Sequence, residues 1–567
     1  MVRLFESYKN RKTNFLDGMW KMKADPEKVG VSEKWYESLP NECKDTCVPS
    51  CWNNELGLYH YEGIMWYFKK FTAGGNVNLI FHAVTGQAEV YVDGVHIGGH
   101  YGGWTGFNFI LSGLKAGEHF LAVSVDNTHD NMNTIPLAEV DWFHYGGIHR
   151  SVEVQELRNL WVDDFKIDYK LNDAFTSAEI GVKVSINGVA DKLQKPVVNV
   201  YMEDNLIYTH ELDKNNPLKE ISFSGYSIDN IKLWDIFKPN LYYFRAEITD
   251  GGVVVDDMID RTGFRHIKAE NKKILLNGKE IYIKGVNRHE DHPDWGFAVP
   301  LNLMRKDIAI IKNLGCNSIR GSHYPNSKLF LDCLDEEGLL FWEEIPMWGY
   351  PEEPLQNPLI MERGLMMIEE MVIRDYHHPS IIFWSVHNEI ATNTQAAFDI
   401  TKSFVEKVRS LDKSRLVSYA SNHPLCDICY SLVDVISINK YFGWYHGEAS
   451  SWFRFFENLK EYVNSLNLGH LPILMTEFGG GGIAGVCSFE NQKWSENYQA
   501  ELIGYELELF HNTPGVVGSY IWQYCDTRTP KENEMKRPRS FNNKGIVNEY
   551  RNPKMAYWSA KKIYNSF

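Results

Sequence analysis

Between residues 264 and 567, short apolar segments alternate regularly with amphipathic stretches, and this pattern constrains the fold more than any other feature. The apolar segments are 281–286, 316–320, 339–345, 380–386, 415–420, 434–439, 472–476 and 516–522. Helical periodicity occupies 302–313, 326–336, 361–376, 395–411 and 495–511, and a last helix is expected near 554–566. Eight strands that alternate with helices predict a closed (β/α)₈ TIM barrel at 264–567, because parallel neighbours need a crossover between them.

The residues that precede the barrel have strand character throughout. Asp93-Gly94, directly after a strand-like segment, is typical of a two-residue hairpin turn. Residues 156–263 continue with short segments that alternate apolar and polar positions, such as 178–184. We therefore expect a jelly-roll-like β-sandwich at 1–155, followed by a small immunoglobulin-like β-sandwich at 156–263.

Composition excludes several classes of protein. The 567 residues include 58 Lys and Arg against 74 Asp and Glu, which gives a formal net charge of −16. A nucleic-acid-binding protein needs a basic face to neutralise phosphates, so no nucleic acid is expected as a partner. No apolar run approaches the roughly 18 residues of a membrane-spanning helix, so no membrane association is expected either.

Targeting signals and cysteine usage indicate a cytoplasmic protein. Residues 1–20 mix charges through every window and lack the apolar core of a secretory signal. The nine cysteines are an odd number in a large chain, which is typical of reduced thiols. They include two groups, Cys43, Cys47 and Cys51, and the pair Cys426 and Cys429. Neither group is followed by the second half of a zinc motif, so no bound metal is expected.

Two glutamates occupy the positions where a barrel of this kind holds its reactive groups. Catalytic residues of such barrels lie just after the carboxyl ends of the strands. Glu389 follows the fourth predicted strand and Glu477 the seventh, so the two would face each other across the barrel mouth. A pair of carboxyl groups can hydrolyse a glycoside, because one protonates the leaving oxygen while the other attacks the anomeric carbon. The alternative is that both are structural carboxylates paired with Arg or Lys.

The segments around these glutamates resemble the motifs of one enzyme family. Residues 384–389 (WSVHNE) look like the Asn-Glu acid/base motif of glycoside hydrolase family 2, and residues 476–479 (TEFG) look like its nucleophile motif. Residues 141–150 (DWFHYGGIHR) are similar to a segment of the family's first domain. The resemblance covers nearly the whole chain, because that family has a sugar-binding sandwich, an immunoglobulin-like sandwich and a barrel in this order. It implies a retaining hydrolase that works by double displacement without a cofactor.

The resemblance also implies a role for each residue of the matching motifs. Glu389 would be the acid/base and Glu477 the nucleophile. Asn388 would hydrogen-bond the sugar 2-hydroxyl, Tyr441 would orient the nucleophile, and Arg320 would keep that nucleophile ionised. The remaining expected sugar contacts are Asp141 from the first domain, the histidines His289 and His323, Tyr445, and Trp522 as the floor of the pocket.

A segment after the eighth strand indicates which sugar is bound. Residues 540–546 (SFNNKGI) look like the Asn-x-Lys motif with which β-glucuronidases bind the C6 carboxylate, here Asn542 and Lys544. An ammonium and an amide would form charge-assisted hydrogen bonds with a uronate, whereas a neutral hexose would leave a buried lysine without a partner. The alternative is an ordinary turn, because Asn and Gly are frequent turn formers.

These observations favour a retaining exo-β-glucuronidase acting on small-molecule or oligosaccharide β-glucuronides. The nearest alternative is a β-galacturonidase, whose substrate differs only at C4, and a neutral-sugar β-galactosidase is more distant. A non-catalytic carbohydrate-binding protein is the alternative from another class. The family resemblance further implies a homo-oligomer, either a tetramer or a dimer.

Overall fold

The first part of the chain is built around one eight-stranded, hydrogen-bonded sheet. The structure, a computed structural model, describes residues 2–213 and 219–567. The strands of this sheet are β1 (Thr13–Phe15), β2 (Gly18–Ala24), β3 (Lys44–Val48), β4 (Ile64–Phe81), β5 (Gln87–Val92), β6 (Val95–Tyr101), β7 (Phe107–Asp126) and β8 (Val152–Leu157). Their order is β1-β8-β4-β7-β5-β6, with β2 joined to β4 and β3 to β2. Trp20, Tyr67 and Phe81 belong to its buried core, and the expected all-β architecture is confirmed.

The next part of the chain forms a two-sheet sandwich. Its strands are β9 (Leu160–Leu171), β10 (Ser177–Gly188), β11 (Pro196–Met202), β12 (Asn205–Glu211), β13 (Glu220–Asp229), β14 (Tyr242–Asp250) and β15 (Val253–Thr262). One sheet has the order β13-β10-β9 and the other the order β12-β11-β14-β15. Buried positions alternate with half-buried ones along β11, and Val182, Val198 and Phe244 lie in the shared core. This is the expected immunoglobulin-like arrangement of two packed antiparallel sheets.

The remaining residues form the closed barrel. A small sheet of β16 (Ile267–Glu270), β17 (Lys273–Leu276) and β18 (Lys279–Ile281) precedes it. The barrel strands are β19 (Ile283–Arg288), β20 (Ser318–Gly321), β21 (Leu340–Glu344), β22 (Ile381–Asn388), β23 (Leu416–Ser421), β24 (Ile436–Asn439), β25 (Ile473–Glu477) and β26 (Val516–Ile521). All neighbouring barrel strands pair in parallel, and β26 closes the ring against β19. All eight predicted strands are thereby confirmed, with ends that shift by a few residues.

Helices surround the barrel on its outer side. They are α1 (Leu301–Leu314), α2 (Lys328–Glu337), α3 (Glu352–Leu355), α4 (Pro358–Asp375), α5 (Gln395–Leu411), α6 (Ser451–Ser465), α7 (Glu496–His511) and α8 (Met555–Tyr564). The sequence pattern did not predict the short α3 or α6. In α6, Trp452, Phe455, Leu459 and Val463 are buried at helical spacing, so this helix carries a regular apolar stripe although it was not among the helices predicted.

Two further features shape the mouth of the barrel. After β26, a hairpin of β27 (Thr527–Arg528) and β28 (Phe541–Asn542) carries the 3₁₀ turns Lys531–Lys536 and Pro538–Ser540 between its strands. In addition, aromatic residues of the first part of the chain, including Trp104 and Trp142, pack with Phe297 and Tyr324 of the barrel. The first part of the chain is therefore in contact with the end of the barrel where β19 and β20 terminate.

Candidate active site

The carboxyl ends of β22 and β25 bring the two predicted glutamates to one cavity. Glu477 is the last residue of β25, and Glu389 follows β22 directly. The cavity has a volume of about 500 Å³. It is lined by seven of the predicted site residues, Asp141, Glu389, Tyr441, Tyr445, Glu477, Trp522 and Lys544. Parallel strands all end at the same rim, which is why residues far apart in sequence meet here.

Glu477 is held from two sides. Its Oε1 accepts a hydrogen bond from Arg320 Nη1 at 2.8 Å, and its Oε2 accepts one from the Tyr441 hydroxyl at 2.7 Å. Arg320 is fully buried at the end of β20, and His323 Nε2 lies 3.9 Å from Glu477 Oε1. Charge-assisted hydrogen bonds of this kind are short and directional, so they fix the orientation of the carboxyl group.

Glu389 has a different environment. Its backbone lies in the left-handed region, with a φ of 54°, which is uncommon for a non-glycine residue and often found at functional sites. Its Oε1 accepts a hydrogen bond from Asn439 Nδ2 at 2.8 Å. Burial raises the pKa of Glu389 to about 8, the charge of Glu477 adds to this rise, and Asn439 and Arg320 oppose it. At neutral pH this carboxyl group therefore holds a proton.

Asn388 connects Arg320 with Asn439 at the centre of the site. Its Oδ1 accepts hydrogen bonds from Arg320 Nη2 at 2.7 Å and from Asn439 Nδ2 at 3.0 Å. Its Nδ2 is buried and has no hydrogen-bond partner among the described residues. A buried amide donor without a partner is costly, and a hydroxyl of a bound ligand would satisfy it.

The two predicted histidines lie beside Trp522, which is 3% exposed. The His323 ring stacks on the Trp522 ring with 5.1 Å between centroids, and His323 Nδ1 lies 2.8 Å from Glu344 Oε1. His289 Nδ1 lies 3.2 Å from the Tyr324 hydroxyl, whereas its Nε2 has no partner within residues 2–213 and 219–567. Burial is the main reason that the pKa of His289 lies well below its usual range, so this ring is neutral.

A second cluster lies at the other side of the cavity. The Asp141 carboxylate accepts hydrogen bonds from Arg537 Nη2 at 2.8 Å and from Asn542 Nδ2 at 2.9 Å. Lys544 is 1% exposed, and its Nζ lies 3.4 Å from Asn542 Oδ1 and 5.0 Å from the centre of the Tyr445 ring. In the described part of the chain this ammonium forms no ion pair with a carboxylate. A buried cation in that condition is a ready binding site for an anionic group.

Sequence reasoning missed three residues that complete the site. Glu344, at the end of β21, forms an ion pair with Arg320 at 3.0 Å, and Asn439, at the end of β24, joins Asn388 to Glu389. Burial alone would raise the pKa of Glu344, but Arg320 and the hydrogen bond with His323 lower it to about 2. A polar residue at a strand end was the available signal for both. Arg537 had no such signal, because it lies in the loop between β27 and β28.

Among the described residues, one group has the spacing of a metal site, namely Asp332, Asp335 and His378. Asp332 is already paired with Arg3 at 2.9 Å, and His378 Nδ1 lies 2.6 Å from Asp335 Oδ2. The Arg3 guanidinium thus supplies the positive charge that a cation would supply. None of the three lines the cavity of the two glutamates.

Two other sequence predictions concern the state of the cysteines and membrane-spanning helices. All nine cysteines are unpaired. None of the helices within residues 2–213 and 219–567 combines the length and the apolar character that crossing a bilayer requires.

Comparison with known proteins gives consistent matches along the chain. The family description "Glycosyl hydrolases family 2, TIM barrel domain" matches residues 267–567, "Glycosyl hydrolases family 2" matches 161–265, and the sugar binding domain of the same family matches 59–158. A β-glucuronidase of Streptococcus agalactiae is 28% identical over 598 residues, which cover 98% of this chain and 96% of the relative.

Solved structures agree with this assignment. A β-galacturonidase of Eisenbergiella tayi bound to galacturonate superposes with a TM-score of 0.91 at 34% identity, covering 100% of this chain and 99% of that one. A β-glucuronidase of Ruminococcus gnavus superposes with a TM-score of 0.89 at 28% identity, with coverage of 100% and 99%. The chain therefore belongs to family 2 of the glycosyl hydrolases.

Proposed function

We propose that this hydrolase is a retaining exo-β-glucuronidase. The observation that carries the proposal is the buried ammonium of Lys544, which has no carboxylate partner in the described part of the chain and lines the same cavity as Glu389 and Glu477. A uronate carboxylate would pair with it, while a neutral hexose would leave the charge unsatisfied. The relatives described above as β-glucuronidases support the same substrate class.

In the first chemical step, a Glu477 oxygen attacks the anomeric carbon as the bond to the aglycone oxygen breaks. Glu389 gives its proton to that departing oxygen, and a covalent glycosyl-enzyme forms. In the second step, Glu389, now ionised, removes a proton from water as the water oxygen attacks the anomeric carbon and displaces Glu477. The raised pKa of Glu389 and the hydrogen bonds to Glu477 support this division of roles.

The neighbouring residues would orient the nucleophile and bind the sugar hydroxyl and carboxylate groups. Arg320 and Tyr441 orient the Glu477 carboxyl group for attack through hydrogen bonds to its two oxygens. The Nδ2 donor of Asn388, which has no partner among the described residues, suits the sugar 2-hydroxyl, where a hydrogen bond strengthens in the transition state. Asn542 and Lys544 would bind the C6 carboxylate. The Trp522 and Tyr445 rings would form walls of the sugar-binding cavity.

A β-galacturonidase is the second candidate, since the solved galacturonidase is 34% identical to this chain. The test is a set of initial rates on matched aryl β-glycosides, namely the glucuronide, galacturonide, glucoside and galactoside. We expect the glucuronide to be the fastest. A galacturonide preference would keep the mechanism and change the C4 assignment, and preference for a neutral sugar would contradict the role of Lys544.

The pH dependence of kcat/KM tests the role of Glu389. A carboxyl group with a raised pKa is protonated below that value, so an activity that needs the proton is lost as the pH rises through about 8. We expect a one-proton decline above this pH for an aryl glucuronide with a poor leaving group. The decline should be weaker for a glucuronide whose aglycone leaves without protonation, and absent in Glu389→Gln. A decline that is unchanged in Glu389→Gln would assign it to another group.

A further inference from the structure

A buried ion pair contacts the loop that carries Asn542 and Lys544, and the catalytic steps do not use it. Asp526 lies after β26, and Lys554 immediately precedes α8. Asp526 Oδ1 is 2.7 Å from Lys554 Nζ, and the two side chains are 0% and 1% exposed. Because desolvation offsets most of the attraction in a buried pair, such a pair is weak evidence for a stabilising role. The hydrogen bonds that Asp526 and Lys554 form with neighbouring segments are better evidence for the role of the pair.

Both members of the pair hold the backbone on either side of Lys544. Asp526 Oδ1 accepts a hydrogen bond from the Gly545 N–H at 2.9 Å, and Lys554 Nζ donates one to the Asn543 carbonyl at 3.2 Å. The approach at Gly545 is close, since a Cβ there would lie 2.2 Å from the Asp526 nitrogen. The loop thus has little freedom to shift relative to the pair.

The same groups reach the loop that follows the nucleophile strand. Lys554 Nζ also donates a hydrogen bond to the Gly482 carbonyl at 2.6 Å. Gln499 Nε2, from α7, donates to the Gly480 carbonyl at 2.9 Å and to the Lys544 carbonyl at 3.2 Å. These contacts connect the segment after Glu477 with the segment that carries the ammonium.

We propose that three positioning residues, Asp526, Lys554 and Gln499, fix the position of the uronate-binding loop relative to Glu477. The uronate-binding loop is the segment that carries Asn542 and Lys544. This inference rests on the proposed function. Within the described chain the Lys544 ammonium has no carboxylate partner, and the side chain that accepts its hydrogen bond, Asn542, lies on the same loop, so the position of the ammonium depends on the backbone of that loop. These three residues thereby determine how strongly the enzyme prefers a uronide to a neutral glycoside, although none of them touches the substrate.

The test measures a binding ratio rather than activity. The probes are uronic isofagomine and its neutral counterpart, which carries a hydroxymethyl group in place of the carboxylate. Titration calorimetry gives the ratio of the two dissociation constants for the unmodified enzyme, Asp526→Asn and Lys554→Met. Because a displacement on the order of 1 Å at an active site can cost 100-fold, we expect the preference for the uronic ligand to fall about tenfold or more in both variants.

A matched control removes a charge from a buried pair at the other end of the barrel. Asp412 and Arg415 lie 2.8 Å apart, are 0% and 3% exposed, and precede β23, so they are remote from the strand ends that form the cavity. Asp412→Asn should lower the melting temperature but leave the binding ratio within about twofold, as expected for distant sites. A similar fall of the ratio in this control would overturn the inference.

The remaining outcomes separate the inference from the proposed function. An unchanged ratio in folded Asp526→Asn, an isosteric change, would overturn the inference even if Lys554→Met does not fold. Equal affinity of the unmodified enzyme for the two ligands would instead refute the proposed function and, with it, the basis of the inference. Melting temperatures establish that each variant compared is folded.

Discussion

Replacing Glu477 with Gln should lower kcat for the preferred aryl uronide by a factor on the order of 10⁴ or more, since the attacking group is lost. The amide keeps the shape of the side chain and can retain a hydrogen bond from Tyr441, so the fold should be preserved. Initial rates together with a thermal melt measure both effects. Residual activity close to that of the unmodified enzyme would contradict the assignment of the nucleophile.

A control and a chemical rescue make this experiment specific. Glu448→Gln is the same chemical change at an exposed position between β24 and α6, and it should leave the rate unchanged. In Glu477→Ala, added azide should attack the anomeric carbon from the face that the glutamate vacated and give the α-glycosyl azide. In Glu389→Ala, azide should instead intercept the glycosyl-enzyme and give the β-glycosyl azide. If Glu477→Ala gave the β-glycosyl azide and Glu389→Ala the α-glycosyl azide, the acid/base and nucleophile assignments would be reversed.

Lys544→Ala should reduce kcat/KM for a uronide by about 30-fold to several thousand-fold, corresponding to about 2–5 kcal/mol for truncating one partner of a buried charge pair. The carboxylate of the bound sugar would then lose its ammonium partner, because the nearby Arg537 is already paired with Asp141. Rates on the uronide and on the matching neutral glycoside measure the effect. If both substrates lose activity equally, the lysine supports the fold rather than the uronate.

Stability provides an independent check on Lys544. The unmodified enzyme buries this ammonium without an ion-pair partner among the described residues, which costs desolvation free energy. We therefore expect Lys544→Ala not to lower the melting temperature, in contrast with its effect on activity. The exposed Lys536, at the rim of the same cavity, is the matched control, and its replacement with Ala should change kcat/KM by less than about threefold because its charge is screened.

Much of the fold follows from local patterns in the sequence. The alternation of apolar strands and amphipathic helices predicted all eight barrel strands, because a strand buried on both faces is apolar along its whole length. It also placed Glu389 and Glu477 at strand ends, which is where a parallel barrel gathers its polar groups. Helix α6 was not among the helices predicted, although Trp452, Phe455, Leu459 and Val463 give it a buried apolar stripe at helical spacing.

Other properties of the site depend on contacts between distant parts of the chain. Arg537 binds Asp141 across 396 positions, and no pattern near either residue indicates that pairing. The contacts of Glu344 and Asn439 with the catalytic network likewise required the arrangement of strands around the barrel.

The sequence by itself determined the order of the sheets and barrel and the positions of the two carboxyl groups at strand ends, because these follow from residue type and spacing, whereas the role of Lys544 came from the resemblance to family 2. Only the tertiary structure showed how Glu389 is buried beside Glu477, which raises its pKa, and that Lys544 is buried with no carboxylate partner within residues 2–213 and 219–567. The pKa of Glu389 and the environment of Lys544 depend on burial and on neighbouring charges. Burial and neighbouring charges are determined by how distant segments of the chain pack together.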